Sequence, residues 1–134
     1  MNAKTWVSRY LKSQGIVPKK NELGLNFSYE GWSFLRGEDA DDLLFFRLIL
    51  PGVFDVTDDN FAEAIMACNN VNWNYKVVKA VLYEFEDAHD KGTSVWMCFE
   101  QVLDATPQVE ELIPRAVHSL IAAAEAFNKE MTEE

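Results

Sequence analysis

The stretch CNNVNWNYKVVKA, from Cys68 to Ala80, decides the fold, because a helical pattern ends within it and a valine-rich, strand-like run begins. Its asparagines occupy positions 69, 70, 72 and 74. Asparagine tolerates the left-handed backbone at a helix end, and its amide can satisfy the last carbonyl groups of a helix. We therefore interpret residues 69–74 as a ragged C-cap that turns into a strand. The alternative is a binding site built from amides.

The flanking segments predict a helix before this junction and a hairpin after it. Upstream, Thr57 or Asp58 can cap the helix. Downstream, residues 75–86 and 93–103 show strand-like patterns on either side of the loop DAHDKG, which indicates a β-hairpin. The helix places apolar residues on its predicted inner side: Phe61, Ala62, Ile65, Met66 and Cys68.

The N-terminal part predicts a helix and a second hairpin. Residues 3–14 carry an apolar stripe at helical spacing, and Gly15 is a helix stop. Residues 23–29, beginning at Leu23, and residues 32–36 alternate as two strands, joined by a turn at Glu30 and Gly31.

A third strand follows, LLFFRLIL at residues 43–50. It is apolar on both alternations except at Arg47, which is typical of a central strand covered on both faces. Pro51 and Gly52 should end it, because proline cannot donate to a sheet. A last helix, capped by Thr106, follows to residue 131, with a kink or restart expected at Pro114.

These elements predict an α+β fold in the order α-β-β-β-α-β-β-α. Tight connections between successive strands favour a largely antiparallel five-stranded sheet packed with helices. The chain has 134 residues, 49% hydrophobic and 13% aromatic, enough for one core, so we expect a single domain over residues 1–134.

Charge is unevenly distributed along the chain. Residues 1–20 hold five basic residues and no acid, whereas residues 21–134 hold the other seven basic residues and all 22 acids, a net charge of −15. An acidic body repels phosphate backbones, so we expect no nucleic-acid partner. No apolar run approaches the roughly 18 residues that span a bilayer, and no secretory signal is evident. We expect a cytoplasmic protein without a membrane partner.

Motifs for catalysis and cofactor binding are absent: the sequence contains no G-x-S-x-G, P-loop, dinucleotide fingerprint or C-x-x-C. We therefore expect no enzyme activity, no catalytic residue, no cofactor and no metal. Cys68 and Cys98 are predicted to be buried free thiols.

Three groups of residues are candidates for a site, and each also has an ordinary structural interpretation. His89, between Asp87 and Asp90, resembles a metal or His–Asp pair but is more typical of a solvated loop. His118 is predicted to be a partly buried or flanking residue of the last helix. The acids of GEDADD resemble the start of a calcium-binding loop. When the loop is counted from Asp39, however, position 6 is not glycine and position 12 is Leu50 where a glutamate is required.

Arg47 is the charge of greatest interest, since its strand neighbours are apolar. It is predicted to pair with Glu84 or Glu100 on adjacent strands, or to hold a ligand carboxylate in a groove.

The sequence resembles the YbjN-like family, which shares the fold of the type III secretion chaperones. The resemblance covers roughly residues 3–130 and lies in the junction N-N-V-N…K-V-V-K, the segment FFRLILPGVFDVTDDNFAEAIMACNNVNWNYKVVKAVLYE and the closing VWMCFEQVLDATPQVEELIPRAVHSLIAAAEAF. It implies a small, acidic, non-enzymatic and commonly dimeric protein, and supports a capping role for the asparagines. The secretion chaperones hold an extended client segment along hydrophobic patches.

Our leading hypothesis is a homodimeric binding or regulatory module that recognises a protein segment through apolar grooves and sheet edges. The first helix, with Trp6, Tyr10 and Leu11, is the predicted client surface, unless these side chains simply complete the core. The chaperone comparison places the dimer surface on the central helix and the strand after it, at Phe61, Ile65, Met66, Val77, Lys79 and Val81.

Two other classes of function stay open. One is a small-molecule-binding or enzymatic pocket around Arg47, which requires Glu84 or Glu100 to converge on it in a concave site. The other is an acidic mimic that competes for a basic partner, which requires the acids to cluster on one face.

Overall fold

The computed structural model describes residues 2–21, 24–37, 41–86, 88–104 and 106–132. Three helices and six strands follow one another along these ranges. They are α1 (Ala3–Ser13), β1 (Lys19–Asn21), β2 (Gly24–Tyr29), β3 (Trp32–Gly37), β4 (Phe45–Val56), α2 (Phe61–Asn74), β5 (Val78–Glu86), β6 (Lys91–Val102) and α3 (Val109–Thr132).

The strands form one antiparallel sheet in the order β1-β2-β3-β4-β6-β5. The α+β class and the antiparallel sheet are as predicted, but the sheet has six strands where we predicted five. The additional strand, β1, is three residues long and includes two lysines, so it carries no periodic apolar signal. Leu23, the predicted start of the next strand, lies outside the described residues.

Both predicted hairpins are present. Tyr29 pairs with Trp32 across a two-residue turn, in which Glu30 and Gly31 both have positive φ. This is the backbone that a tight hairpin requires, and glycine adopts it without strain. The second hairpin joins β5 to β6, with Glu86 paired to Lys91.

β4 does not end at Pro51 and Gly52 as predicted. It continues to Val56, and its register with β6 shifts between Leu50 and Phe54. The irregularity accommodates the proline and glycine without ending the ladder. α3 is likewise continuous through Pro114 and begins at Val109, later than the predicted cap at Thr106.

All three helices pack on one face of the sheet, where alternate strand residues such as Phe46, Leu48, Val95 and Met97 join them in the main core. The prediction that β4 is covered twice is therefore wrong. Its other face contributes Ile49 to a small second cluster that contains no helix residue. That cluster consists of Leu35, Ile49 and Cys98, with Trp96 packed against it.

Candidate functional site

The apolar stripe of α1 faces the core. Leu11 is fully buried and Tyr10 is 7% exposed, while Trp6 is half-buried at the margin. Burial, followed by a side-chain hydrogen bond with Tyr29, raises the pKa of Tyr10 to about 12. The predicted client contact is therefore overturned for Tyr10 and Leu11, which complete the core, the alternative weighed above.

The large apolar side chains of α2 point into solvent. Phe61, Ile65 and Met66 are 49%, 47% and 59% exposed, and Trp73, two turns further on, is 86% exposed. The predicted place of Phe61, Ile65 and Met66 on the inner side of the helix is wrong, whereas Cys68 lies there as predicted. The rest of that side is occupied by the smaller residues Ala64, Ala67 and Val71. We refer to Phe61, Ile65, Met66 and Trp73 as the α2 stripe.

The asparagines lie inside α2, which extends to Asn74, so the predicted ragged C-cap is wrong in its position. Three of their amides form hydrogen bonds, two of them to other elements. Asn70 donates to the Glu130 carboxylate on α3 at 2.8 Å, and Asn74 donates to the Asn70 carbonyl at 2.9 Å. The residue with the left-handed backbone at this junction is Val77, with φ of 68°, and not an asparagine.

The side chain of Asn72 forms hydrogen bonds to the edge of β5 that faces away from β6. Its Oδ1 accepts from the Ala80 N–H at 2.6 Å, and its Nδ2 donates to the Ala80 carbonyl at 3.1 Å. Both backbone groups of Ala80 therefore point away from β6, and one side-chain amide takes the place of a neighbouring strand there. This contact gives the asparagine cluster a structural role.

The six residues predicted for a dimer surface do not share one face. Val77 is 52% exposed and lies in the turn after α2, close to the α2 stripe in sequence. Lys79 and Val81 alternate with the core residues Val78 and Ala80, so they lie on the helix-free face of the sheet. A surface that includes all six would have to wrap around the edge of β5.

Arg47 pairs with Glu100, one of its two predicted partners. Arg47 Nε lies 2.7 Å from Glu100 Oε2, Lys79 Nζ lies 2.6 Å from Glu100 Oε1, and the guanidinium lies over the Phe45 ring. Partial burial acts to raise the pKa of Glu100, but the hydrogen bonds from Lys79 and Arg47 outweigh it and lower that pKa. Glu84 is paired in register with Thr93 instead. The charges on this face are thus engaged with one another.

The remaining candidates do not assemble a reactive site. His118 Nε2 lies 2.8 Å from Glu30 Oε2 on the surface, so of the two predicted roles the residue flanks the buried side of α3 and is not partly buried itself. His89 is exposed, while its neighbour Asp87 and the calcium-loop start Asp39 lie outside the described residues. Within the described ranges, no three His, Cys, Asp or Glu side chains are grouped to hold a metal.

The two cysteines are buried free thiols, as predicted. Burial, with a smaller contribution from the Glu130 charge, raises the pKa of Cys68 to about 11, and burial likewise raises the pKa of Cys98. A thiol of raised pKa holds little reactive thiolate at neutral pH.

Sequence reasoning did not anticipate a cleft of about 850 Å³ between the α2–β5 turn, the end of β6 and the start of α3. Its lining includes Lys76 and Val77 from the turn, Leu103 after β6, and Glu111 and Arg115 from α3. These residues come from three distant parts of the chain, so no local motif could have revealed the cleft. Arg47 is not among its lining residues.

Comparison with known proteins reveals a structural likeness. No family model matches the sequence, and no curated protein matches it. In structure, the chain superposes on YbjN from E. coli, a proposed transcription regulator, with a TM-score of 0.62 over 92% of this chain and 87% of YbjN, at 11% sequence identity. The fold is YbjN-like.

An uncharacterised protein from Methanothermobacter thermautotrophicus has the same YbjN-like fold. It superposes with a TM-score of 0.62 at 10% identity, over 96% of each chain. Identities this low establish the shared fold and leave function to the residues of this chain. Among the residues that the structure describes, no helix is long and apolar enough to cross a membrane.

Proposed function

We propose that this protein is a non-enzymatic, regulatory or chaperone-like binding module of the cytoplasm, and that it works as a homodimer assembled through the α2 stripe. The observation that carries the proposal is the exposure of that stripe. Nine large hydrophobic residues are exposed in the described part of the chain, and five of them lie on α2 and at Val77. Exposed apolar groups gathered in this way are typical of protein interaction sites.

A second copy of the chain is a suitable occupant because α2 is poor in charge. The protein has a net charge of −10, yet Glu63 is the one charged residue in residues 61–74. Two copies related by a two-fold axis could therefore bring their stripes together with few carboxylates facing each other. Self-association through an acid-rich part of the surface would instead place like charges in contact.

The client segment of such a dimer requires a surface other than the buried α1 stripe. A two-fold contact along α2 would bring together apolar helix surface from both copies, and each β5 keeps a free edge beyond the Ala80 backbone groups that Asn72 occupies. This arrangement supports recognition of an extended segment by edge and groove together. The fold shared with YbjN, itself proposed as a regulator, is compatible with a binding role.

The experiment is light scattering behind a sizing column. We expect wild type at twice the 15.3 kDa chain mass and Ile65→Asp as a folded monomer. Val17→Asp is the matched control, since Val17 is an exposed apolar residue outside α2 and should leave the dimer intact. A monomeric wild type, or a dimer that persists in Ile65→Asp, would contradict the proposal.

A further inference from the structure

We propose that the cleft between α2, β6 and α3 binds a small zwitterion with a large apolar group, a ligand of the α-amino-acid class. The cleft volume of about 850 Å³ lies within the few hundred to 1,000 Å³ typical of small-molecule sites. The inference concerns a surface separate from the α2 stripe and does not depend on dimer formation.

The floor of the cleft is apolar. Phe99 and Leu103 line it and are themselves almost completely buried, and Leu112 from α3 adds a partly buried side chain. At the rim, Val77 and Val102 are 52% and 66% exposed. An apolar group placed between floor and rim would cover surface that is now in contact with water, which favours binding.

Both signs of charge line the cleft. Lys76 and Arg115 are exposed, and neither forms an ion pair with any described residue, in contrast to Arg47 and Lys79, which share Glu100. These two cations are therefore available to a ligand carboxylate, and the guanidinium can bind it through two parallel hydrogen bonds.

The acids of the cleft complement a ligand ammonium group. Glu111 is exposed, and its carboxylate makes no hydrogen bond or ion pair within the described ranges. Asp104 also lines the cleft and uses Oδ1 to accept from the Thr106 N–H at 2.9 Å. A purely anionic ligand would meet these carboxylates as like charges, whereas a zwitterion satisfies both signs.

The backbone at the rim is an independent sign of a constrained site. Val77 has φ of 68°, a conformation that β-branched residues rarely adopt. The turn before it is fixed by the hydrogen bond from the Tyr75 N–H to the Val71 carbonyl and by the pair of hydrogen bonds between Asn72 and the backbone of Ala80. Strain that neighbouring contacts enforce clusters at ligand-binding segments. Here it holds an apolar side chain at the mouth of the cleft.

The test uses three probes that share the benzyl side chain and differ in their charged groups: L-phenylalanine is a zwitterion, N-acetyl-L-phenylalanine lacks the ammonium group and L-phenylalaninamide lacks the carboxylate. Titration followed by two-dimensional amide NMR should show that L-phenylalanine shifts residues 74–77, 101–104 and 108–115. The two derivatives should bind at least about tenfold more weakly, since each loses one charge-assisted contact. Equal binding of either derivative, or no shift at about 10 mM L-phenylalanine, would overturn the proposal.

Two variants assign the charged contacts. Arg115→Gln and Glu111→Gln should each weaken L-phenylalanine binding at least about tenfold. Arg115→Gln should do so without affecting phenylalaninamide, and Glu111→Gln without affecting N-acetylphenylalanine. Lys12→Gln, a similar loss of charge at an exposed site on α1, is the control and should bind like wild type. Unchanged binding in both cleft variants, with their circular dichroism intact, would show that the ligand sits elsewhere.

Discussion

In α1 the large apolar side chains point into the core, whereas in α2 they point into solvent. α1 buries Val7, Tyr10 and Leu11 against the sheet and α3. α2 buries smaller residues, with alanine at 64 and 67, and small side chains let a helix lie close to its neighbours. The side of a helix that faces the core is thus set by which residues fit the available space, and the largest apolar residues are not always on it.

The segments that follow the two helices also differ, in the strain of their backbone. α1 is followed by Gly15 with φ of 73°, and α2 by a turn in which Val77 has φ of 68°. Glycine adopts this backbone at no steric cost, whereas a β-branched residue is strained there. The end of α1 is thus relaxed, and the end of α2 keeps a strained side chain beside a cleft.

Truncating one residue on each helix should give the largest contrast. Leu11→Ala is expected to lower the free energy of unfolding by about 3 kcal/mol, because it leaves a cavity in the core. Phe61→Ala should change it by less than about 0.5 kcal/mol at dilutions where the chain is monomeric, since its side chain is already half in water. Urea unfolding monitored by circular dichroism measures both. Comparable losses would mean that α2 is not exposed as described.

Alkaline pH provides a second probe of the α1 side. The pKa of Tyr10 is raised from 10.0 to about 12, so the folded state holds this proton more tightly than the unfolded state. Stability should therefore be unaffected by the ionisation of this group below pH 10 and should fall as the pH rises from 10 towards 12, because the unfolded chain ionises first. Tyr10→Phe should be less stable than wild type at pH 7 and should show a shallower decline over this window. Parallel declines would refute the assignment.

On the α2 side, the two hydrogen bonds of Asn72 can be removed without touching the α2 stripe. Asn72→Ala should cost about 1 to 2 kcal/mol of unfolding free energy and accelerate hydrogen exchange at the Ala80 amide. Asn69→Ala is the matched control: Asn69 is exposed on the same helix and forms no hydrogen bond through its side chain to any described residue, so its replacement should be neutral. We call the paired hydrogen bonds between Asn72 and Ala80 the clamp. Rapid hydrogen exchange at the Ala80 amide of wild type would argue against it.

The smallest expected effect is a gain in stability. Val77→Gly should raise the free energy of unfolding by about 1 kcal/mol, because relief of backbone strain exceeds the added entropy of the unfolded chain. Val17→Gly is the same change at an exposed position where φ is not positive, and it should lower stability instead. Thermal unfolding of the two variants measures both changes. Shifts of the melting temperature in the same direction would show that Val77 is not strained.

Period-two patterns were sufficient to predict both hairpins, and they named Glu84 and Glu100 as possible partners of Arg47, of which the structure shows Glu100. They could not reveal β1, which is too short for a period, nor the continuation of β4 past Gly52, which depends on a register shift. The patterns thus define pairs of strands more firmly than the limits of each strand.

The candidate sites were harder to predict than the fold. Helical spacing locates an apolar stripe but does not tell which side of the helix meets the sheet, so a client surface and a core role both stayed open for α1, and α2 was assigned the wrong inner side. The cleft is formed by segments up to about forty residues apart, and its charges have no motif in common. Both features depend on tertiary packing, which spacing along the chain does not encode.

The clamp between Asn72 and Ala80 bears on whether further chains can add to the edge of β5. An edge strand is a template on which further chains can add, and repeated addition leads to fibres. The amide fills one hydrogen-bonding position of that template from within the same molecule, at the end of β5 nearest α2. An incoming strand could align only with the distal part of β5, so growth would have to begin on a shortened template. We therefore expect this one side chain to hinder the addition of further chains at the β5 edge.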